Sequence, residues 1–127
     1  YLAKGSIGIG VVITVMNRLY NEKIFNQELS AINKVVEYRC CFEPGLFDGA
    51  GGFFLCQCFN EQDVVEMALR KLESFLIEKE GKMFIPGKWF YKLSSDMYSG
   101  TTGILLALNS VKTENVLSWL PLLHKFF

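Results

Sequence analysis

The sequence predicts an all-α array of helical hairpins, and three observations carry that prediction. First, a pair of glycines separated by two residues recurs three times, as Gly5-Ser6-Ile7-Gly8, Gly49-Ala50-Gly51-Gly52 and Gly100-Thr101-Thr102-Gly103. The recurrence has a period of about 40–50 residues, in the range of helical repeats. Second, each motif opens a mostly apolar segment: Ile9 to Tyr20, Phe53 to Phe59 and Ile104 to Val111. A helix that is apolar all round is a buried one. Third, amphipathic segments lie between these runs, as expected of outer helices with one wet face.

In the first unit Leu29, Ile32, Val35 and Val36 form a short stripe at helical spacing, with Asn26 as its candidate cap. In the second, Val65, Ala68, Leu69, Leu72, Phe75 and Leu76 follow the same spacing. There Asn60 is the candidate cap, Glu61 and Asp63 favour the first turn, and Gly81 is the candidate stop. Two stretches break the helical pattern. Lys82 to Ile85 and Trp89 to Leu93 flank Pro86-Gly87-Lys88, which predicts a short β-hairpin across 82–93 with Pro and Gly in the turn. Pro121 predicts a break near Trp119 in the final stretch, Glu114 to Phe127. In each glycine motif the first glycine suits a positive φ as the chain turns into the helix, and the second suits close packing between helices. The N–H groups of such a helix start are also able to face an anionic or carbonyl group.

Composition narrows the function classes. Of 127 residues half are hydrophobic, 11 of them Phe, which is ample for a core. The 13 basic and 13 acidic residues cancel, and no basic stripe interleaved with aromatics occurs. Nucleic acid and a strongly anionic membrane surface are therefore excluded as partners. The run from Ile7 to Met16 is too short for a transmembrane segment and is interrupted by Gly8 and Gly10. It lacks the charged region of a signal peptide, and the initial Tyr1 suggests a piece of a longer protein. The four cysteines fall as Cys40-Cys41 and Cys56-x-Cys58, patterns awkward to close as disulfides, so a reducing cytoplasm is expected. Positions two apart do not share a helix face, so Cys56 and Cys58 do not chelate one ion readily and read as small buried hydrophobes.

The three glycine blocks, in this order and approximate spacing and with Pro44-Gly45-Leu46-Phe47 ahead of the second, resemble the lanthionine synthetase C-like family. The resemblance covers essentially the whole chain. It implies an α/α toroid whose inner helices each open with a Gly-x-x-Gly turn, with residues 1–127 as the C-terminal portion of a cyclase domain, about three hairpins of an incomplete ring. Zinc-type members carry Trp-Cys-x-Gly, then Cys-His-Gly, then Gly-x-x-Gly. Here Ala3 stands where the first zinc cysteine belongs, and Phe47-Asp48 stand where the Cys-His pair belongs. The chain is thus similar to the zinc-less cyclase of class III lanthipeptide synthetases. Leu93-Ser94-Ser95-Asp96 and Gly103-Ile104-Leu105-Leu106-Ala107-Leu108 also look like that class. The resemblance implies no metal and no other cofactor. It implies a kinase domain elsewhere in the same polypeptide, and as partners a precursor peptide and the rest of the synthetase. Open hairpin flanks would favour self-association of the fragment.

The implied reaction is addition of a peptide Cys thiol to dehydroalanine or dehydrobutyrine. The thiolate is the nucleophile, so without zinc a base or proximity must generate it. Asp48, in place of the zinc histidine, is a candidate base or acid, or else a helix-start cap. Lys4 is a candidate enolate stabiliser, or else a solvated lysine. Asp96 is a third catalytic candidate, or else a turn residue. Tyr98 and the glycines Gly5, Gly49 and Gly100 are candidate substrate-binding positions at the ring mouth. His124, the only histidine, reads as incidental. Gly5-x-x-Gly8-x-Gly10 imitates a kinase loop without its companion motifs, and no βαβ context supports a dinucleotide site. Two other functions fit the same hairpins: a non-catalytic peptide-binding module, and another α/α toroid enzyme such as a glycosidase, for which no carboxylate pair presents itself.

Overall fold

In the computed structural model, which describes residues 1–36, 41–59, 64–113 and 119, the chain is mostly helical with one two-stranded antiparallel hairpin. Helix α1 runs Ser6–Tyr20 and α2 runs Asn26–Val36. A 3₁₀ helix follows at Ala50–Cys58, then α3 at Val64–Glu73. Strands β1 (Ile77–Lys79) and β2 (Lys82–Phe84), a 3₁₀ turn at Lys88–Phe90 and α4 at Thr101–Lys112 complete the order. No helix among the described residues is long and apolar enough to cross a membrane.

The three glycine motifs do begin helices. Gly5, Gly49 and Gly100 are the N-caps of α1, the 3₁₀ helix and α4. The reason is steric and differs from the one expected. Their φ values are −164°, −151° and −106°, so no left-handed turn is involved. What excludes a side chain is the preceding loop, which folds back over the helix start. A Cβ on Gly8 would strike the carbonyl oxygen of Leu2, one on Gly52 that of Leu46 at 2.8 Å, and one on Gly103 that of Met97. The first glycines repeat the pattern: a Cβ on Gly49 would strike the Glu43 oxygen, and one on Gly100 the Ser94 oxygen at 2.5 Å.

These loops also lie against one another. The Ala3 N–H donates to the Phe47 carbonyl (2.7 Å), and the Phe47 N–H donates to the Tyr98 carbonyl (3.3 Å). The three donors and acceptors hold the same place in their motifs, two residues before the first glycine. The starts of α1, the 3₁₀ helix and α4 are thereby brought side by side.

The 3₁₀ helix is the centre of the packing, with α1, α3 and α4 against it. Phe54, Leu55 and Cys56 are fully buried, joined by Ile7 and Val11 from α1, Ala68 and Leu72 from α3, and Ile104 and Ala107 from α4. Gly10 has no side chain because the Phe59 ring occupies that space, 2.8 Å from where a Cβ would sit. The flanking helices are less buried than their composition suggested. Ile9 and Val12 on α1 are each 58% exposed, and Leu105 on α4 is also exposed, so each presents one apolar side outward. The expected α-helix after Gly49 is wound more tightly, as a 3₁₀ helix. Its first N–H groups are drawn back to the loop: Ala50 donates to Glu43 (2.8 Å) and Gly51 to Pro44 (3.0 Å).

Helix α3 buries the predicted stripe through Ala68 and Leu72, and Glu66 pairs with Arg70 one turn on at 2.6 Å. It stops at Glu73, not at Gly81. Gly81 instead turns the hairpin, where Glu80 and Gly81 take φ of 53° and 70°. Two successive positive φ values match the twist of a tight hairpin, so the strands pair Ile77 with Phe84 around that turn. The predicted hairpin at 82–93 is thus half right. Lys82–Phe84 is a strand, but its partner precedes it, and Trp89–Leu93 contributes only an isolated Pro86–Leu93 bridge. Helix α2 begins at Asn26 and buries Ile32. The expected cap at Asn60 with Glu61 and Asp63, the side chains of Val35 and Val36, and the break at Pro121 lie outside the described residues.

This geometry separates two kinds of glycine. Gly103→Ala should cost about 3 kcal/mol, because the added methyl meets backbone and the side of Leu46. Gly81→Asn should be near neutral, since its Cβ would meet open space and Asn tolerates the left-handed region. Urea unfolding of the two variants checks the contrast.

Candidate functional site

Ala3 and Tyr98, the two ends of the ladder through Phe47, both border a cleft of about 240 Å³. Lys4, Asp48 and Tyr98, three of the residues expected at the mouth, line it together with Ala3. Tyr1, Glu43, Lys88 and Trp89 complete the wall. Tyr98 stacks on Phe47, with ring centroids 5.2 Å apart and planes 13° from parallel. Phe47 in turn meets Trp119 edge-on at 6.3 Å. Phe47 is therefore a packing element that ties the loop before the 3₁₀ helix to the loop before α4.

Asp48 is half-buried, and its Oδ1 is buried with no hydrogen-bond partner. It does not cap the helix it precedes, since the Ala50 and Gly51 N–H groups go to the Glu43 and Pro44 carbonyls. Oδ1 lies instead over Gly45, 2.7 Å from where a Cβ would stand. Lys4 is exposed and lines the same cleft, but the two do not form an ion pair.

Asp96 is placed differently. It is exposed and does not line the cleft. Its carboxylate accepts from the Ser94 hydroxyl, from the Ser99 N–H (2.7 Å) and from the Ser99 hydroxyl (3.0 Å). The Ser94 hydroxyl first, and then the Ser99 N–H, hold its pKa down at about 2. Its backbone carbonyl receives the Gly100 N–H, so Asp96 organises the turn into α4. Gly49 and Gly100 are buried. Gly5 lines a second, shallower depression of about 490 Å³ along α1, with Ile9 and Val12. Among the described residues Lys4 is the only titratable side chain lining it, so the cleft at Asp48 is the stronger chemical candidate.

Loop carbonyls take part of the N–H donors at each helix start. Gly8 N–H reaches the Tyr1 carbonyl (3.5 Å), Ala50 and Gly51 N–H reach Glu43 and Pro44, and Thr101 N–H reaches Ser94 (2.9 Å).

Zinc does not fit the positions that the family resemblance points to. Ala3, Phe47 and Asp48 do come together, but they offer a methyl, a phenyl and one carboxylate, where zinc takes thiolate and imidazole. Among the described residues no group of three His, Cys, Asp or Glu could hold a metal. Burial pushes the Cys56 and Cys58 thiols up to about 12, which makes them inert hydrophobes. Cys40 and His124 lie outside the described residues.

Sequence reasoning missed Tyr1, Glu43, Lys88 and Trp89. Glu43 had a signal in hindsight, standing just ahead of the Pro44-Gly45 block that was singled out. Lys88 and Trp89 had been assigned to a hairpin.

No family model matches the chain. It is similar to a probable SapB synthase of Streptomyces coelicolor, with 27% identity over 118 residues. The match covers 87% of this chain and 13% of that protein, so the chain spans a small part of its relative's length.

The Asp96 turn has a defined pH signature. Its folded pKa of about 2 lies below the ordinary 3.8, so its contribution to stability is present above about pH 4 and is lost as pH falls through 2. The melting-temperature difference between wild type and Asp96→Asn should therefore be largest at pH 6 and shrink towards pH 2.

Proposed function

We propose that this chain is part of a lanthipeptide synthetase cyclase that forms thioether rings without a metal, with the cleft at Asp48 as its reaction site. The observation that carries the proposal is the meeting of Lys4, Asp48 and Tyr98 in one cleft. The family resemblance of the three glycine blocks and the distant similarity to a probable SapB synthase support the same reading. A toroid assembled from further hairpins, with this chain as its C-terminal portion, belongs to the proposal.

In this reaction the Asp48 carboxylate accepts the proton of the substrate thiol. The sulfur bonds to the β-carbon of a dehydroalanine or dehydrobutyrine, and the π electrons of the C=C bond move onto the adjoining carbonyl as an enolate. Lys4 stabilises that negative charge, and a proton then returns to the α-carbon. The product is an isomer of the substrate, so mass does not change. A carboxylate is a weak base toward a thiol that titrates near 8.5, so positioning of thiol and acceptor supplies much of the acceleration. The precursor peptide is the proposed substrate and the remainder of the synthetase the proposed partner. Asp96, already engaged in its turn, has a positioning role on the third loop.

Asp48→Asn and Lys4→Met, made in the full-length protein, should each slow ring closure on a dehydrated precursor by about 10²-fold. Phosphorylation and elimination by other parts of the protein should continue. Ring closure is followed as loss of alkylatable thiol at constant mass. Wild-type rates in both folded variants would overturn the catalytic assignment and favour a passive peptide-binding module.

A further inference from the structure

The segment from Gly87 to Lys92 is built at a conformational cost. Trp89 and Phe90 take φ of 60° and 59°, both in the left-handed region. Bulky side chains are outliers there and persist only where the surroundings hold them. The surroundings do so at several points. Gly87 N–H donates to the Lys92 carbonyl (2.8 Å), and Phe90 N–H donates to the Gly87 carbonyl (3.0 Å). The Phe90 ring stacks on Phe75 at 5.8 Å. Trp89 N–H is aimed at Glu43 Oε2, at 3.4 Å, across to the loop before the 3₁₀ helix.

All this anchoring uses the backbone of Trp89 and the ring of its neighbour. The Trp89 ring itself is left 65% exposed on the wall of the cleft, with Lys88 Nζ 5.9 Å from its centroid. Tyr98, 42% exposed, lines the same cleft. The charged lining is balanced, with Lys4 and Lys88 against Glu43 and Asp48. Such a site gives no advantage to a polyanion such as a phosphate ester or to a strongly cationic ligand. The exposed aromatic surface of Trp89 and Tyr98 favours an apolar side chain or a planar amide. A volume of about 240 Å³ admits a short stretch of extended chain and not a folded domain.

We propose that Trp89 is a specificity-determining residue of this cleft, receiving, together with Tyr98, an apolar side chain of a peptide substrate next to the residue that reacts at Asp48. The identity of the peptide as a dehydrated precursor rests on the cyclase reading. The recognition of an apolar peptide side chain does not.

The test uses two synthetic peptides that contain dehydroalanine and carry Ser in place of Cys, so that neither is able to cyclise. They differ only at the residue beside the dehydroalanine, Leu in one and Gly in the other. Calorimetric titration of the full chain should show the Leu peptide bound at least 10-fold more tightly. Trp89→Phe should keep most of that preference. Trp89→Gly should abolish it while raising the melting temperature, because glycine relieves the left-handed strain. That pairing of lost recognition with gained stability is not what a merely structural tryptophan would give. Equal binding of the two peptides by wild type, or an unchanged preference in Trp89→Gly, would overturn the proposal. If the preference depends on Trp89 but the Cys-containing Leu peptide is never cyclised, the proposal stands and the cyclase reading fails.

Discussion

The close approach of each helix-opening glycine to a carbonyl of the loop before it is the constraint on which the rest of this structure depends. It occurs at Gly8 over Leu2, Gly52 over Leu46 and Gly103 over Met97. Because no Cβ intervenes, each loop lies flat on its own helix start. Its carbonyls then satisfy N–H groups that helices otherwise leave to side-chain caps or solvent. This is how glycine, which has no side chain to cap with, serves as the N-cap of all three helices.

Once flattened, the loops are able to pair with one another. The bonds from Ala3 to Phe47 and from Phe47 to Tyr98 link equivalent positions ahead of the three glycine motifs. The Phe47–Tyr98 stack reinforces the second link with ring contact. The residue after each of these positions is then Lys4, Asp48 or Ser99, and the first two open into the cleft. Packing, loop closure and the chemical site are thus consequences of one steric rule applied three times. The core follows the same logic. The central 3₁₀ helix, with glycines at its start, is the most deeply buried element, and the helices on either side are buried only where they face it.

The parts of this fold legible in the sequence are those set by repetition and apolar spacing. The three helix starts, the buried run from Phe53 to Cys56 and the stripe through Ala68 and Leu72 needed nothing beyond local pattern. The meeting of Lys4 and Asp48 in one cleft was legible because both stand one residue before the first glycine of their motifs. Other features depended on contacts distant in sequence. The role of the first glycines was assigned to backbone φ, when it is the returning loop that forbids a side chain, and that loop is invisible to a local reading. The hairpin was displaced because Pro86-Gly87 is a stronger turn signal than Glu80-Gly81, although the latter has the positive φ pair that a tight hairpin needs. Asp48 looked like a cap because aspartate usually is one next to a helix start. Only the structure shows its Oδ1 left without a partner. Trp89 was hidden because nothing local foretells two successive left-handed aromatics.

The central claim is that the three loops form one cooperative unit beneath the cleft, so that disturbing one glycine loosens the others. Hydrogen exchange of individual backbone amides in Gly103→Ala tests this most directly. The account predicts that protection of the Phe47 and Ala3 amides falls together, although Ala3 lies two repeats away from the substitution. Loosening confined to residues 97–103, with Ala3 and Phe47 protected as in wild type, would contradict it.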